Sequence, residues 1–139
     1  MPKYNKIYVY SDGGSRGNPG ASAIGIVIFD VDKNEICRYS ECIGEGTNNQ
    51  AEYKALIKAL GLATAHCRNE VVCFLDSELV VRQTSGVYAI KNEKLKELFY
   101  ILKNKEDAFE KVTYNHVPRT NKFIEIADRL VNKALDGES

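Results

Sequence analysis

Four acidic residues stand where apolar side chains are expected: Asp12, Glu52, Asp76 and Asp128. Asp12 and Asp76 directly follow the runs IYVYS and VVCFL, which are typical of β-strands. Glu52 and Asp128 fall on the otherwise apolar faces of two predicted helices. A helix-end position, a cap or a neighbouring arginine explains any one of these acids. Four of them together favour a common site, because a carboxylate on an apolar face is costly unless something compensates it.

Converging carboxylates repel one another, so protons or cations have to balance their charge. No cluster of histidine or cysteine residues accompanies the four acids, and an all-oxygen ligand set selects hard ions such as Mg²⁺ or Mn²⁺ over zinc. Two such ions about 3.5–4 Å apart can activate a water molecule and stabilise the leaving oxygen of an in-line displacement. The acids therefore predict a metal-dependent site suited to phosphate chemistry.

The elements that must position these acids follow from hydrophobic periodicity and capping signals. The clearest is a helix with a capping box at Thr47 and Gln50, which is predicted to run to about Cys67. The glycine-rich stretch 13–20 is predicted to end regular structure, and the apolar run 71–75 predicts a central strand covered on both faces. Strands are predicted near residues 6–12, 23–30, 35–43, 71–75 and 111–116, and further helices near 78–83, 92–103 and 121–135. This order indicates an α/β domain, a mixed sheet with helices on its faces.

Length and composition exclude several classes of protein. With 139 residues the chain is expected to form one domain, residues 1–139, and its 44% hydrophobic and 27% charged residues exclude a disordered or collagen-like chain. No apolar run is long enough to cross a membrane, and the first residues lack the apolar core of a signal peptide. A cytoplasmic location without membrane contact is therefore expected. The four cysteines match no zinc-ligand spacing and are expected to be buried free thiols.

The formal net charge is zero, yet the basic residues are unevenly distributed. Residues 82–122 carry nine Lys or Arg and five Asp or Glu, between more acidic flanks. One interpretation is a patch that binds a polyanion. The other is a solvated helix face, which the charge pattern alone favours.

Five short motifs follow one another along nearly the whole chain. They are SDGGSRGNPG at 11–20, TNNQAE at 47–52, DSELVV at 76–81, VYAIKN at 87–92 and ADRL at 127–130. In this order they closely resemble the motifs of type 1 ribonuclease H (RNase HI). The four acids each lie in one of these motifs.

The resemblance implies a compact ribonuclease H-like fold, with a five-stranded mixed sheet, its first three strands antiparallel, and helices on both faces. It implies an endoribonuclease that hydrolyses the RNA strand of an RNA/DNA hybrid duplex and leaves 5′-phosphate and 3′-hydroxyl ends. It also implies that Asp12, Glu52, Asp76 and Asp128 are catalytic and bind Mg²⁺, which Mn²⁺ can replace, with two ions per active site once substrate is bound. A monomer is expected.

Substrate contacts are implied by the same motifs. They comprise groove contacts from Gly14, Ser15, Asn18, Asn48 and Asn49, and a pocket for a DNA-strand phosphate formed by Thr47 and Asn92. The alternative for Thr47, Asn48 and Asn92 is plain helix capping, and both roles are compatible.

The chain also departs from the family pattern. Many relatives carry a mobile histidine in the loop before the last helix, where this chain has Arg119 as the closer counterpart. A guanidinium cannot act as a base at neutral pH, so Arg119 is expected to hold the attacked phosphate, and His116 to end a strand. Glu45 replaces an arginine that often contributes to the phosphate pocket.

Two alternatives remain open from the sequence. One is a nucleic-acid-binding module on this fold that has lost catalysis, against which the presence of all four acids argues. The other keeps the metal site but changes the substrate to double-stranded RNA or RNA–DNA junctions. A small-nucleotide-binding protein is disfavoured, since neither GxxxxGK[ST] nor GxGxxG occurs.

Overall fold

The computed structural model describes residues 2–137, which form one five-stranded sheet and four helices. The strands are β1 (Tyr4–Arg16), β2 (Gly20–Phe29), β3 (Glu35–Gly46), β4 (Cys67–Leu75) and β5 (Lys111–His116). The helices are α1 (Asn48–Ala63), α2 (Glu78–Thr84), α3 (Glu93–Glu106) and α4 (Lys122–Leu135).

The sheet has the order β3-β2-β1-β4-β5. β2 pairs antiparallel with both β1 and β3, whereas β4 pairs parallel with both β1 and β5. The predicted mixed sheet with three antiparallel first strands is therefore confirmed. None of the helices in the described range is long and apolar enough to cross a membrane.

Alternation along β1 assigns its side chains to two different cores. Ile7 and Val9 point to the face covered by α1, α2 and α3, where they are fully buried. Tyr10 points to the opposite face, where it packs near Ile124 of α4. The sheet thus carries helices on both faces, as predicted, and α1 and α4 approach β1 from opposite sides.

Helix α1 begins as predicted and ends earlier than predicted. The Thr47 side chain accepts a hydrogen bond from the Gln50 amide, and the Gln50 side chain accepts one from the Thr47 amide. The helix ends at Ala63, because Cys67 already pairs with Tyr4 as the first residue of β4. The predicted end at Cys67 was wrong because strand pairing, which local propensity does not report, ends the helix.

The glycine-rich stretch does not end regular structure at Gly13, and that prediction was wrong. Strand β1 continues to Arg16, whose pairing partner is Ala21 of β2, and only residues 17–19 form the turn. The extension persists because cross-strand hydrogen bonds outweigh the low strand propensity of glycine. It places the first motif beside the start of α1, where the Ser15 amide donates a hydrogen bond to the Asn48 side chain.

The apolar run 71–75 predicted that helices cover both faces of β4, and this prediction was wrong because the two faces are buried unequally. Val71, Cys73 and Leu75 are fully buried under the α1 side, whereas Phe74 on the other face is half-buried. The reason is that α4 packs over β1, β2 and β3 and leaves β4 less covered. The four cysteines are free, as predicted, but only Cys67 and Cys73 are buried, whereas Cys37 is half-buried and Cys42 is exposed on the outer strand β3.

Candidate active site

Asp12 and Asp76 come together because β1 and β4 are parallel neighbours. Tyr10 pairs with Phe74, and each acid follows two residues later, Asp12 within β1 and Asp76 directly after the end of β4. Both acids therefore lie on the same face of the sheet. Asp76 directly follows the carboxyl end of β4, where crevices form in α/β folds. The Nε atom of Arg119 lies 3.9 Å from Oδ2 of Asp76.

Glu52 reaches this edge from α1 because residue 13 is glycine. A Cβ at Gly13 would lie 2.3 Å from the carbonyl carbon and oxygen of Ala51, so any larger residue would push α1 away from β1. The same close approach allows the Gly13 amide to donate a hydrogen bond of 3.1 Å to Oε1 of Glu52. Gly13 therefore sets the distance between α1 and β1.

Asp128 reaches the site by an equivalent close approach on the other face. Asp12 pairs across the strands with Gly25 of β2, so both residues face α4. A Cβ at Gly25 would lie 2.2 Å from the carbonyl oxygen of Ala127, the residue before Asp128. Gly25 thus lets α4 lie against the sheet at the level of Asp12.

The carboxylates form a compact cluster in an open cavity of about 490 Å³. One oxygen from each of Asp12, Glu52 and Asp76 lies within 4.8 Å of the other two. Asp12 and Glu52 are only 7% and 6% exposed, while Asp76 and Asp128 are half-buried. Asp128 is outside the three-residue cluster but lines the same cavity, so the fold brings all four predicted acids to one place.

Burial and mutual repulsion disfavour the charged forms of the two innermost acids. Burial, followed by the charges of Asp76 and Asp128, raises the pKa of Asp12 from 3.8 to about 8. Burial, followed by the charge of Asp12, raises the pKa of Glu52 well above its ordinary value. A divalent cation relieves this repulsion. The donor set fits Mg²⁺ or Mn²⁺, because the clustered ligand atoms are all carboxylate oxygens.

This electrostatic strain predicts how stability depends on pH when divalent ions are removed. Asp12 titrates near 3.8 when unfolded and near 8 when folded, so the folded state binds more protons between these values. The contribution of Asp12 to the free energy of unfolding is therefore fully present below pH 3.8 and is lost as the pH rises to about 8.

We expect Asp12→Asn, measured in EDTA by chemical denaturation, to become progressively more stable than the wild type across this pH range. The expected difference at the upper end is at least about 1.4 kcal/mol, the equivalent of one pKa unit. Added Mg²⁺ should restore the wild type, since a ligand that binds only the folded state stabilises it. A constant difference between the two proteins across the pH range would contradict the prediction.

Three residues predicted to contact substrate are joined by hydrogen bonds. The Ser15 amide donates to Oδ1 of Asn48 at 2.9 Å, and the Asn48 amide donates to Oδ1 of Asn18 at 2.9 Å. Because a backbone amide can only donate, both side chains must use their oxygen here and keep their NH₂ groups for other partners. The β1–β2 turn is thereby fixed to the start of α1.

The remaining predicted substrate residues fall into two groups. Gly14 and Asn49 line the cavity, together with Ser15 and Asn48. Thr47 and Asn92 do not line it; each caps a helix, and the Asn92 side chain accepts from the Leu95 amide at 3.0 Å. The capping alternative is observed for both residues, and the phosphate pocket stays a prediction.

Several residues that line the cavity were not predicted from the sequence: Gly13, Arg16, Ser77, Val131, Asn132 and Leu135. Asn132 lies one helical turn after Asp128, and its side chain donates to the Asp128 carbonyl oxygen at 3.1 Å. The i to i+4 spacing is a signal that could have found it. Arg16 lies inside the first motif, but its ion pair with Asp136 requires the folded structure.

Several known proteins are similar to this chain in sequence and in fold. A model of the family described as "Reverse transcriptase-like" matches residues 10–134. The chain is 37% identical over 131 residues to ribonuclease HI of Halobacterium salinarum, covering 94% of this chain and 65% of that protein. It is 38% identical over 132 residues to the bifunctional protein Rv2228c of Mycobacterium tuberculosis, covering 94% of this chain and 36% of that protein. The chain thus spans only about a third of the mycobacterial relative.

The structural comparison covers the chain almost completely. The crystal structure of LC11-RNase H1 in complex with an RNA/DNA hybrid superposes with a TM-score of 0.87 at 42% identity. The match covers 94% of this chain and 97% of that one.

Proposed function

We propose, from the premise that this chain belongs to the ribonuclease HI family, that it hydrolyses the RNA strand of RNA/DNA hybrid duplexes. The observation that carries the proposal is the carboxylate cluster of Asp12, Glu52 and Asp76, with Asp128 in the same open cavity. Four acids from β1, α1, the end of β4 and α4 would not be held together at this cost in repulsion without a cation to bind. The hybrid complex of the similar LC11-RNase H1 supports the choice of substrate.

Each of the four acids would bind one or both of the metal ions. Asp12 within β1 and Asp76 directly after the neighbouring strand β4 would hold both of two Mg²⁺ ions, which Mn²⁺ can replace. Glu52 would hold the ion on the side of the leaving group, and Asp128 the ion beside the attacking water. When bound, the ions supply Lewis-acid activation of water and neutralise charge on the leaving oxygen. Products with 5′-phosphate and 3′-hydroxyl ends belong to the same proposal.

The chain's own groups prepare this site before substrate arrives. The Gly13 amide holds Oε1 of Glu52, which leaves Oε2 for an ion and for the ribose 2′-hydroxyl that distinguishes RNA from DNA. Arg119, which is 86% exposed, extends over the cavity beside Asp76 and is suited to bind the attacked phosphate. Its role as a base is excluded by its chemistry.

Groove recognition would come from the turn that is fixed to α1. The NH₂ groups of Asn18 and Asn48 donate no hydrogen bond to any of the described residues 2–137, and they are suited to the acceptors of a minor groove. Gly14 and Ser15 present backbone close to the cavity, and Asn49 lines it from α1. Thr47 and Asn92 are proposed to bind a DNA-strand phosphate in addition to capping their helices.

The decisive experiment compares matched RNA/DNA, RNA/RNA and DNA/DNA duplexes and an RNA–DNA junction, each incubated with Mg²⁺, Mn²⁺ or EDTA. We expect cleavage of the RNA strand of the hybrid with either metal and none in EDTA. End-labelling of the products tests the 5′-phosphate and 3′-hydroxyl assignment. Hybrid binding without cleavage at any metal concentration would instead support a binding module, and cleavage of RNA/RNA or the junction would widen the substrate class.

We further propose a domain organisation, an oligomeric state and a cellular location. The whole chain, residues 1–139, acts as one catalytic domain, and the active form is a monomer, which sedimentation of the purified protein tests. A cytoplasmic location also stays a prediction.

A further inference from the structure

The cavity that holds the carboxylates is lined by two positively charged side chains among the described residues. Arg119 lies beside Asp76, on the β4 and β5 side. Arg16 lies at the far end of β1, toward β2, where its backbone pairs with Ala21. The two arginines therefore stand on opposite sides of the acid cluster, and the proposed roles use only Arg119.

Helix α4 runs beside β1 from the acids to Arg16. Asp128 lies at the level of Asp12, Val131 would touch a Cβ at Gly14 at 3.5 Å, and Asp136 pairs with Arg16. The four residues from Asp12 to Arg16 span about 13 Å of strand, and the eight residues from Asp128 to Asp136 span about 12 Å of helix. The two segments therefore cover nearly the same distance. Arg16 is thus too far along β1 to share the phosphate held at Asp12.

The guanidinium of Arg16 forms an ion pair with Asp136 but keeps further hydrogen-bond donors available. Its Nη1 lies 2.6 Å from Oδ1 of Asp136, and the two side chains are 49% and 50% exposed. A guanidinium has five donors, so several remain free to solvent. Exposed ion pairs of this kind contribute at most about 1 kcal/mol to the stability of the protein. A phosphate that binds Arg16 in place of Asp136 therefore gives up little stabilisation.

We propose that Arg16 binds a backbone phosphate of the cleaved strand next to the scissile one, and that this phosphate takes the place that Asp136 occupies beside Arg16 in the free protein. This inference rests on the proposed function and names a binding residue that the proposed roles do not include. Positive charge at both ends of the cavity favours the binding of a polyanionic strand that lies across the four carboxylates. Arg119 supplies it at one end and Arg16 at the other.

The alternative is that the Arg16–Asp136 pair only fixes the end of α4 against β1. Three variants separate the two roles: Arg16→Gln, Asp136→Asn and Arg38→Gln. Asp136→Asn breaks the ion pair but keeps the arginine. Arg38 is a matched control, because it is also 49% exposed and ion-paired, to Glu35, but does not line the cavity.

Binding to a short RNA/DNA hybrid is measured in the cleavage-deficient Asp12→Asn background, over a range of salt concentrations. We expect Arg16→Gln to weaken binding about tenfold, as for loss of a charged hydrogen bond. The slope of log Kd against log salt should fall by about 0.7–0.9, the loss of one phosphate contact. Asp136→Asn should leave affinity unchanged or increase it, and Arg38→Gln should change neither quantity.

Cleavage kinetics provide the second readout. With an otherwise wild-type chain, Arg16→Gln should raise KM and leave kcat unchanged, because Arg16 does not contact the reacting phosphate. If Arg16→Gln and Asp136→Asn weaken hybrid binding equally, the ion pair has only a structural role. If Arg38→Gln weakens hybrid binding as much as Arg16→Gln does, the effect is one of net charge. Either result overturns the proposal. If the wild type neither binds nor cleaves the hybrid, the proposed function itself fails, which is a separate outcome.

Discussion

Asp12→Asn is expected to abolish cleavage of the RNA/DNA hybrid while hybrid binding survives. The side chain keeps its shape but loses a negative charge that lies close to the carboxylates of Glu52, Asp76 and Asp128. Metal-ion catalysis contributes several kcal/mol, and each 1.36 kcal/mol is tenfold in rate, so we expect a loss of about a thousandfold or more. Binding should not weaken, because the change removes a negative charge from a surface that receives a polyanion.

The measurement is single-turnover cleavage of a labelled hybrid at saturating Mg²⁺, with affinity measured separately by fluorescence anisotropy. Asp76→Asn should behave in the same way. Asp136→Asn is the matched control, since it makes the same chemical change beside the cavity but outside the acid cluster. Wild-type rates in Asp12→Asn at saturating Mg²⁺ would reject the assignment of the acids.

Gly25→Ala is expected to damage both stability and catalysis although no atom of Gly25 belongs to the acid cluster. The added methyl would lie 2.2 Å from the Ala127 carbonyl oxygen and 2.9 Å from Cβ of Leu130, and the backbone contact cannot be relieved by a rotamer change. Overpacking of this kind costs about 3 kcal/mol. Helix α4 would have to move outward and take Asp128 away from Asp12, so we expect cleavage to fall at least about tenfold, as for a loss of 1.4 kcal/mol of stabilisation.

Chemical denaturation and an Mg²⁺ titration of cleavage test this prediction together. A weaker apparent affinity for Mg²⁺, measured where the variant is still folded, would distinguish displacement of Asp128 from simple unfolding. Gly61→Ala is the control, because a Cβ at Gly61 meets no atom within 4 Å and the residue lies inside α1. It should stabilise the protein by about 0.5–1 kcal/mol and leave cleavage unchanged. A Gly25→Ala variant with wild-type stability and Mg²⁺ affinity would contradict the role given to this glycine.

Local patterns were sufficient to predict most of the elements. The Thr47–Gln50 capping box marks the start of α1, and Asn92 caps α3, as the capping alternative for these residues had predicted. Strand β5 was predicted with the bounds that the structure has, Lys111–His116. These features depend on residues a few positions apart, which interact in the same way in any fold.

The errors arose where distant residues decide the outcome. The end of α1 depends on Cys67 pairing with Tyr4, and the length of β1 depends on Arg16 pairing with Ala21. The half-exposed face of β4 depends on where α4 lies. Such contacts join segments far apart in sequence, and hydrophobic periodicity contains no information about them.

The amino-acid sequence by itself determined which residues could do the chemistry: an acid on an apolar face or at a strand end is an anomaly that composition and periodicity reveal. It did not determine that these acids meet. Their meeting depends on the parallel register of β1 and β4, and on two glycines, Gly13 and Gly25, that let α1 and α4 approach the sheet from opposite sides. The raised pKa of Asp12 and the pairing of Arg16 with Asp136 likewise exist only in the folded chain, because burial and charge proximity are properties of tertiary packing.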